Sequence, residues 1–76
     1  MMHESSFPLR SYAKSELAML YFPTTPLPRT ATNHLMNWIR RCTPLVRELE
    51  RLGYRKTSKW FNQREVALII EYLGEP

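Results

Sequence analysis

The residues best equipped for chemistry sit in ATNHLMNWIRRC, from Ala31 to Cys42, where Asn33, Asn37, Arg40 and Arg41 recur at three- and four-residue intervals. On an α-helix such intervals gather side chains on one side. Asparagine amides and arginine guanidinium groups bond base edges in the major groove and the phosphate oxygens beside them. Arg29, just ahead of this stretch, joins the same set. A second group lies in YRKTSKWF, Tyr54 to Phe61, where Arg55, Lys56 and Lys59 are interleaved with aromatic rings. Its cations can lie on a phosphate backbone while Trp60 and Phe61 anchor the stretch to a core. The expected chemistry is binding of double-stranded DNA, with Arg29, Asn33, Asn37, Arg40, Arg41, Arg55, Lys56 and Lys59 as the contacts.

Catalysis is not expected. His3 and His34 are the only histidines, and there is no glycine-rich phosphate loop, no HExxH and no nucleophile elbow. One cysteine, Cys42, cannot form an internal disulfide. With so few ligating residues no metal site or other cofactor is expected. The formal charge of +4 is compatible with a polyanionic partner, and its distribution says more than its size. Between Arg40 and Arg64 the basic residues are opposed only by Glu48 and Glu50, whereas Glu65, Glu71 and Glu75 stand in a final stretch without a base.

The elements that must hold these groups can be read from periodicity and punctuation. Residues 1–10 read as a flexible arm in which Phe7 and Leu9 can reach the core, and residues 11–76 as a single helical domain. Lys14 to Tyr21 (KSELAMLY) reads as a first helix, capped by Ser11 or Ser15 and ended by Pro23. The link FPTTPLPRT carries prolines at 23, 26 and 28 and so makes a constrained turn. Thr30 is the expected cap of a second helix, Ala31 to Cys42, whose buried stripe is Ala31, Leu35, Trp38, Ile39 and Cys42. Thr43 before Pro44 marks a restart, and Pro44 to Leu52 turns Leu45, Val46, Leu49 and Leu52 inward before Gly53 stops it. Tyr54 to Phe61 reads as a basic loop or a short hairpin-like wing. Asn62, with Glu65 three residues later, opens a final helix that buries Val66, Ile69, Ile70 and Leu73 and stops at Gly74.

The expected class is therefore all-α, a small bundle of about four helices with a helix-turn-helix-like core and a short wing near residues 54–61. An apolar fraction of 43% supports one small core, of the size that a partner subunit often completes. No apolar run reaches the roughly 18 residues that span a membrane, and no secretory leader is visible, so the chain reads as cytoplasmic. A rival to DNA binding is a protein-interaction or homodimerisation module, with Met19, Met36, Trp38 and Tyr72 contributing a docking surface.

Taken in order, SELAMLYFP, NHLMNWIRR, PLVRELERLGY and WFNQREVALIIEYLGEP resemble a family of small proteins of the Bacteroides group catalogued as a domain of unknown function. The resemblance covers Tyr12 to Pro76 and is most specific at Tyr21-Phe22-Pro23, Trp38 and the closing Leu73-Gly74-Glu75-Pro76. More distantly, the order of ELA segment, turn, tryptophan helix, basic loop and NxxEV-type helix is similar to MerR and excisionase-like winged helix-turn-helix proteins. That similarity implies DNA contacts from Asn33, Asn37, Arg40 and Arg41 on the second helix and from Arg55, Lys56 and Lys59 on the wing. The chain departs from those proteins in its proline-rich link, where they have a short turn.

Overall fold

Prolines and positive-φ glycines set the boundaries of the elements, and the computed structural model describes residues 7–76. In chain order these are β1 (Tyr12–Ala13), α1 (Lys14–Tyr21), α2 (Pro28–Arg41), α3 (Thr43–Arg51), β2 (Trp60–Phe61) and α4 (Gln63–Leu73). Among the described residues the architecture is mostly α, four helices around one core, with a two-stranded antiparallel ladder pairing Tyr12 with Phe61 and Ala13 with Trp60. Helix α1 packs most extensively on α2, while α3 joins α2 to α4.

Helix α1 has the expected bounds, but its N-cap is Ala13 and neither serine caps it. Phe22 to Thr25 closes a turn, with the Thr25 amide donating to the Phe22 carbonyl at 3.1 Å and Pro23 in the second position. Helix α2 starts at Pro28, three residues before the expected Ala31, and its N-cap is Leu27 rather than Thr30. The proline explains the difference: its fixed φ and missing amide hydrogen suit the first helical position, so the helix begins there. Thr30 and Thr32 are thus inside the helix, and the Thr32 hydroxyl donates to the Pro28 carbonyl at 2.9 Å. In α3 the cap position falls on Cys42, and Thr43 is already helical.

The core consists of Tyr12, Leu17, Ala18, Ala31, Leu35, Ile39, Leu45, Leu49, Phe61, Val66 and Ile69. On α2 the fully buried stripe is Ala31, Leu35 and Ile39. Cys42 is half-buried, and Trp38, expected inside, is 42% exposed and rests against Tyr21 and Phe22. Leu52 is also exposed, since α3 has ended before it. The end of α3 is a Schellman arrangement. The Gly53 amide donates to the Glu50 carbonyl at 2.9 Å and the Tyr54 amide to the Leu49 carbonyl at 3.0 Å, with Gly53 at φ +88.

Tyr54 to Phe61 does not pair with itself as a hairpin. It is a loop whose last two residues pair with Tyr12 and Ala13, because the inward-facing rings of Tyr12 and Phe61 can then share the core. Trp60, on the opposite face of the strand, is 57% exposed, so the anchors of the loop are Tyr54 and Phe61, stacked at 5.6 Å. Of the expected arm, His3 and the rest of residues 1–6 lie outside the described residues. Phe7 stacks on Tyr12 at 5.3 Å, while Leu9 is exposed.

Helix α4 opens on a complete capping box. The Glu65 amide donates to Asn62 Oδ1 and the Asn62 amide to Glu65 Oε1, both at 2.8 Å. At its other end the Tyr21 hydroxyl donates to the Gly74 carbonyl, tying the end of α1 to the end of α4. Asn62→Ala removes a cap and should cost about 1 kcal/mol, read in a thermal melt as a fall of roughly 4–8 °C for a domain of this size. An unchanged melting temperature would remove the capping box from the account of stability.

Burial, aided by the charge of Glu75, pushes the Tyr21 phenol up to about 12. Burial and the charge of Glu65 do the same to Tyr54, against a smaller opposing effect of Arg40, again to about 12. In the unfolded chain these phenols ionise near pH 10. The stability they contribute is complete below that pH and is lost as pH rises toward 12. Urea denaturation followed from pH 9 to 11.5 should show this decline, and it should be shallower in Tyr21→Phe and Tyr54→Phe, which lack the titrating hydroxyl.

Candidate nucleic-acid interface

The site is assembled around a lysine that opens α1. Lys14 shares a helical face with Leu17 and Ala18, so its side chain is directed inward and is only 8% exposed. Its backbone amide donates to the Lys59 carbonyl at 2.9 Å, and its ammonium donates to the Lys56 carbonyl at 3.0 Å. The same ammonium lies 4.7 Å from the centre of the Tyr54 ring and 5.6 Å from that of Phe61. Burial lowers its pKa, and the negative charge of Glu65 partly restores it.

These contacts fasten the basic loop to α1 at two carbonyls. Within the loop the Ser58 amide donates to the Arg55 carbonyl at 3.1 Å. The Ser58 hydroxyl donates to the Trp60 carbonyl at 2.9 Å and accepts from the Trp60 amide at 3.2 Å. The loop is thereby held opposite α2, and a cleft of about 500 Å³ opens between them. Its floor is apolar, built from Met36, Ile39, Val46, Leu49 and Tyr54, whose hydroxyl donates to Met36 Sδ at 3.9 Å. Asn33 and Arg40 line it from α2, Lys56 and Lys59 from the loop, and Glu50 is the acidic group on its wall.

The structure thus brings together Asn33, Arg40, Lys56 and Lys59 from the set expected from sequence. Asn37 is exposed beside them, its Oδ1 accepting from the Arg40 guanidinium. Arg29 is exposed one helical turn before Asn33. Arg41 is exposed but lies about 100° around the helix from Arg40 and does not line the cleft. Arg55 turns instead to a shallow depression shared with Gly53, Trp60 and Asn62. Among the described residues the ion pairs are Arg10 with Glu16 and Arg51 with Glu48, so the cations on the cleft rim are not engaged in either.

Sequence reasoning missed Lys14 and the structural role of Tyr54. The sequence carries a signal for the lysine, since Lys14, Leu17 and Ala18 have the spacing of one helix face, but a charged residue does not register in an apolar pattern. For Tyr54 no local pattern existed, because its partners come from α1, α2 and β2.

Among the described residues no helix is long and apolar enough to cross a membrane. No curated protein and no solved structure matches this chain. A family model described as a domain of unknown function (DUF4248) matches residues 8–76, nearly the whole described chain, and the protein belongs to that family.

Proposed function

We propose that this chain is a non-enzymatic, cytoplasmic, helix-turn-helix-like DNA-binding protein with a transcriptional or mobile-element accessory role. In this role α2 enters the major groove and the loop of residues 54–59 lies along the phosphates. The observation that carries it is the placement of Lys56 and Lys59 across one cleft from Asn33 and Arg40, in a loop fixed by Lys14. Bonding of Arg40 to Asn37 holds that guanidinium along the exposed face of α2, where Asn33 and Arg29 also stand. Arg40, Asn37 and Asn33 would read base edges, and Lys56 and Lys59 would take phosphate oxygens. Arg41 and Arg55, set to either side, would make flanking backbone contacts.

A second function, a homodimerising or protein-interaction module, is favoured by one observation. Trp38 stands half exposed in a ring cluster with Tyr21, Phe22 and His34 on the other side of α2. The broader docking set is divided, since Met36 lines the cleft and Met19 is partly buried against the core.

Fluorescence anisotropy with a mixed duplex-DNA pool at two salt concentrations tests the DNA function. Binding should weaken steeply with salt. Lys56→Ala and Lys59→Ala should weaken it on every sequence and reduce the salt slope by about one each. On a selected sequence Arg40→Ala should cost about 1–3 kcal/mol and relax base preference, and more than Arg41→Ala. Absence of binding at low salt, with a discrete dimer by light scattering that Trp38→Ala dissolves, would replace DNA binding with the interaction module.

A further inference from the structure

The floor and the rim of the cleft have different chemistry, and neither a base edge nor a phosphate backbone uses the floor. Its volume of about 500 Å³ falls in the range of small-molecule sites, about 300–1,000 Å³, which are mostly apolar with a few convergent polar groups. Met36, Val46 and Tyr54, each half-buried, form an apolar surface closed from beneath by Ile39 and Leu49, while Arg40, Lys56 and Lys59 supply positive charge along the edge. Lys14 adds a further ammonium on the inner wall, with one of its three N–H groups used by the Lys56 carbonyl. Against these four cations stands one carboxylate on the lining, Glu50.

We propose that this cleft binds a small amphipathic anion, an apolar body of short acyl or single-ring size carrying one carboxylate or phosphate head. The body lies on Met36, Val46 and Tyr54, and the head meets Lys56, Lys59 or Arg40. Charge complementarity selects the anion, and the apolar floor separates it from inorganic phosphate, which has nothing to place there. Because the head uses the same cations that the proposed DNA contact uses, the bound anion displaces duplex. That consequence rests on the proposed function, whereas the binding itself does not.

The test is an NMR titration of the full chain, labelled with ¹⁵N and with ¹³C in the methionine methyl groups. The probes are octanoate, octyl phosphate, octanol and inorganic phosphate. Octanoate or octyl phosphate should saturate, shifting the Met36 methyl and the Tyr54 and Lys56 amides, with a Kd at least tenfold below that of octanol. In the double variant Lys56→Glu/Lys59→Glu, whose sites are exposed and compatible with the fold, this tenfold margin should vanish. In Val46→Trp, which fills the floor, both affinities should fall. The tighter of the two anions identifies the head group. Equal binding of octanol and the anions overturns the proposal. So does a shift pattern that inorganic phosphate reproduces, or no saturation by any probe. Failure of these titrations with duplex binding intact removes only the small-anion site, and saturation without duplex binding removes only the DNA function.

Discussion

A buried ammonium fixes the position of the only long loop among the described residues. Lys14 is drawn inside by its place on the inner face of α1, and burial of an unpartnered charge would be costly. The structure meets that cost with one carbonyl, Lys56, two ring faces, Tyr54 and Phe61, and the field of Glu65. A cation over an aromatic ring is worth about 0.5–1 kcal/mol when exposed and about 2 or more when desolvated, so the two rings are a substantial part of the answer. Each of these partners lies in or beside the loop or at the start of α4. Satisfying one lysine therefore helps to set where residues 54–61 run, together with the ladder that ends them.

Glu65 connects this arrangement to the helix that follows. Its carboxylate accepts from the Asn62 amide, which places it at the positive end of α4, while its charge also acts on Lys14 and Tyr54. The start of α4 and the tether of the loop are consequently not independent. A change at the capping box alters the electrostatic surroundings of Lys14, and a shift of the loop alters the polar surroundings in which Glu65 is 5% exposed. The short ladder adds a backbone link between the same parts through Tyr12 with Phe61.

Much of the fold was legible because its signals are local. The bounds of α1, the capping box at Asn62 and Glu65, and the stops at Gly53 and Gly74 each follow from a few consecutive residues. The early start of α2 was legible in principle, since Pro28 is a better first helical residue than Thr30 is a cap. What periodicity could not supply was the destination of a side chain near the border of a face. Spacing alone places Trp38 in the core, but Ala31, Leu35 and Ile39 fill that stripe, and the tryptophan is left against Tyr21 and Phe22. Residue type singles out Asn33, Arg40, Lys56 and Lys59 among the expected contacts, and the structure places these four on one cleft. Their convergence depends on Lys14 reaching a carbonyl 42 residues away, and no local pattern encodes that distance.

The distribution of charge around the cleft follows from solvation. Arg40, Lys56 and Lys59 are exposed and keep their water, so they can stand together on a rim without paired acids. Lys14 is buried and has its partners inside the fold. The inner charge raises the positive potential of the cleft while its hydrogen bond holds the loop, and the outer charges remain able to exchange water for an anion. Depth thus separates a lysine that holds the loop from the lysines that stay solvated on the rim. The depth of Lys14 is set by a single helical register, that of α1, which turns Lys14 inward with Leu17 and Ala18. A shift of that register by one residue would turn Lys14 away from the Lys56 carbonyl and remove the side-chain tether of the loop, leaving the Lys59 carbonyl and the short ladder to hold it.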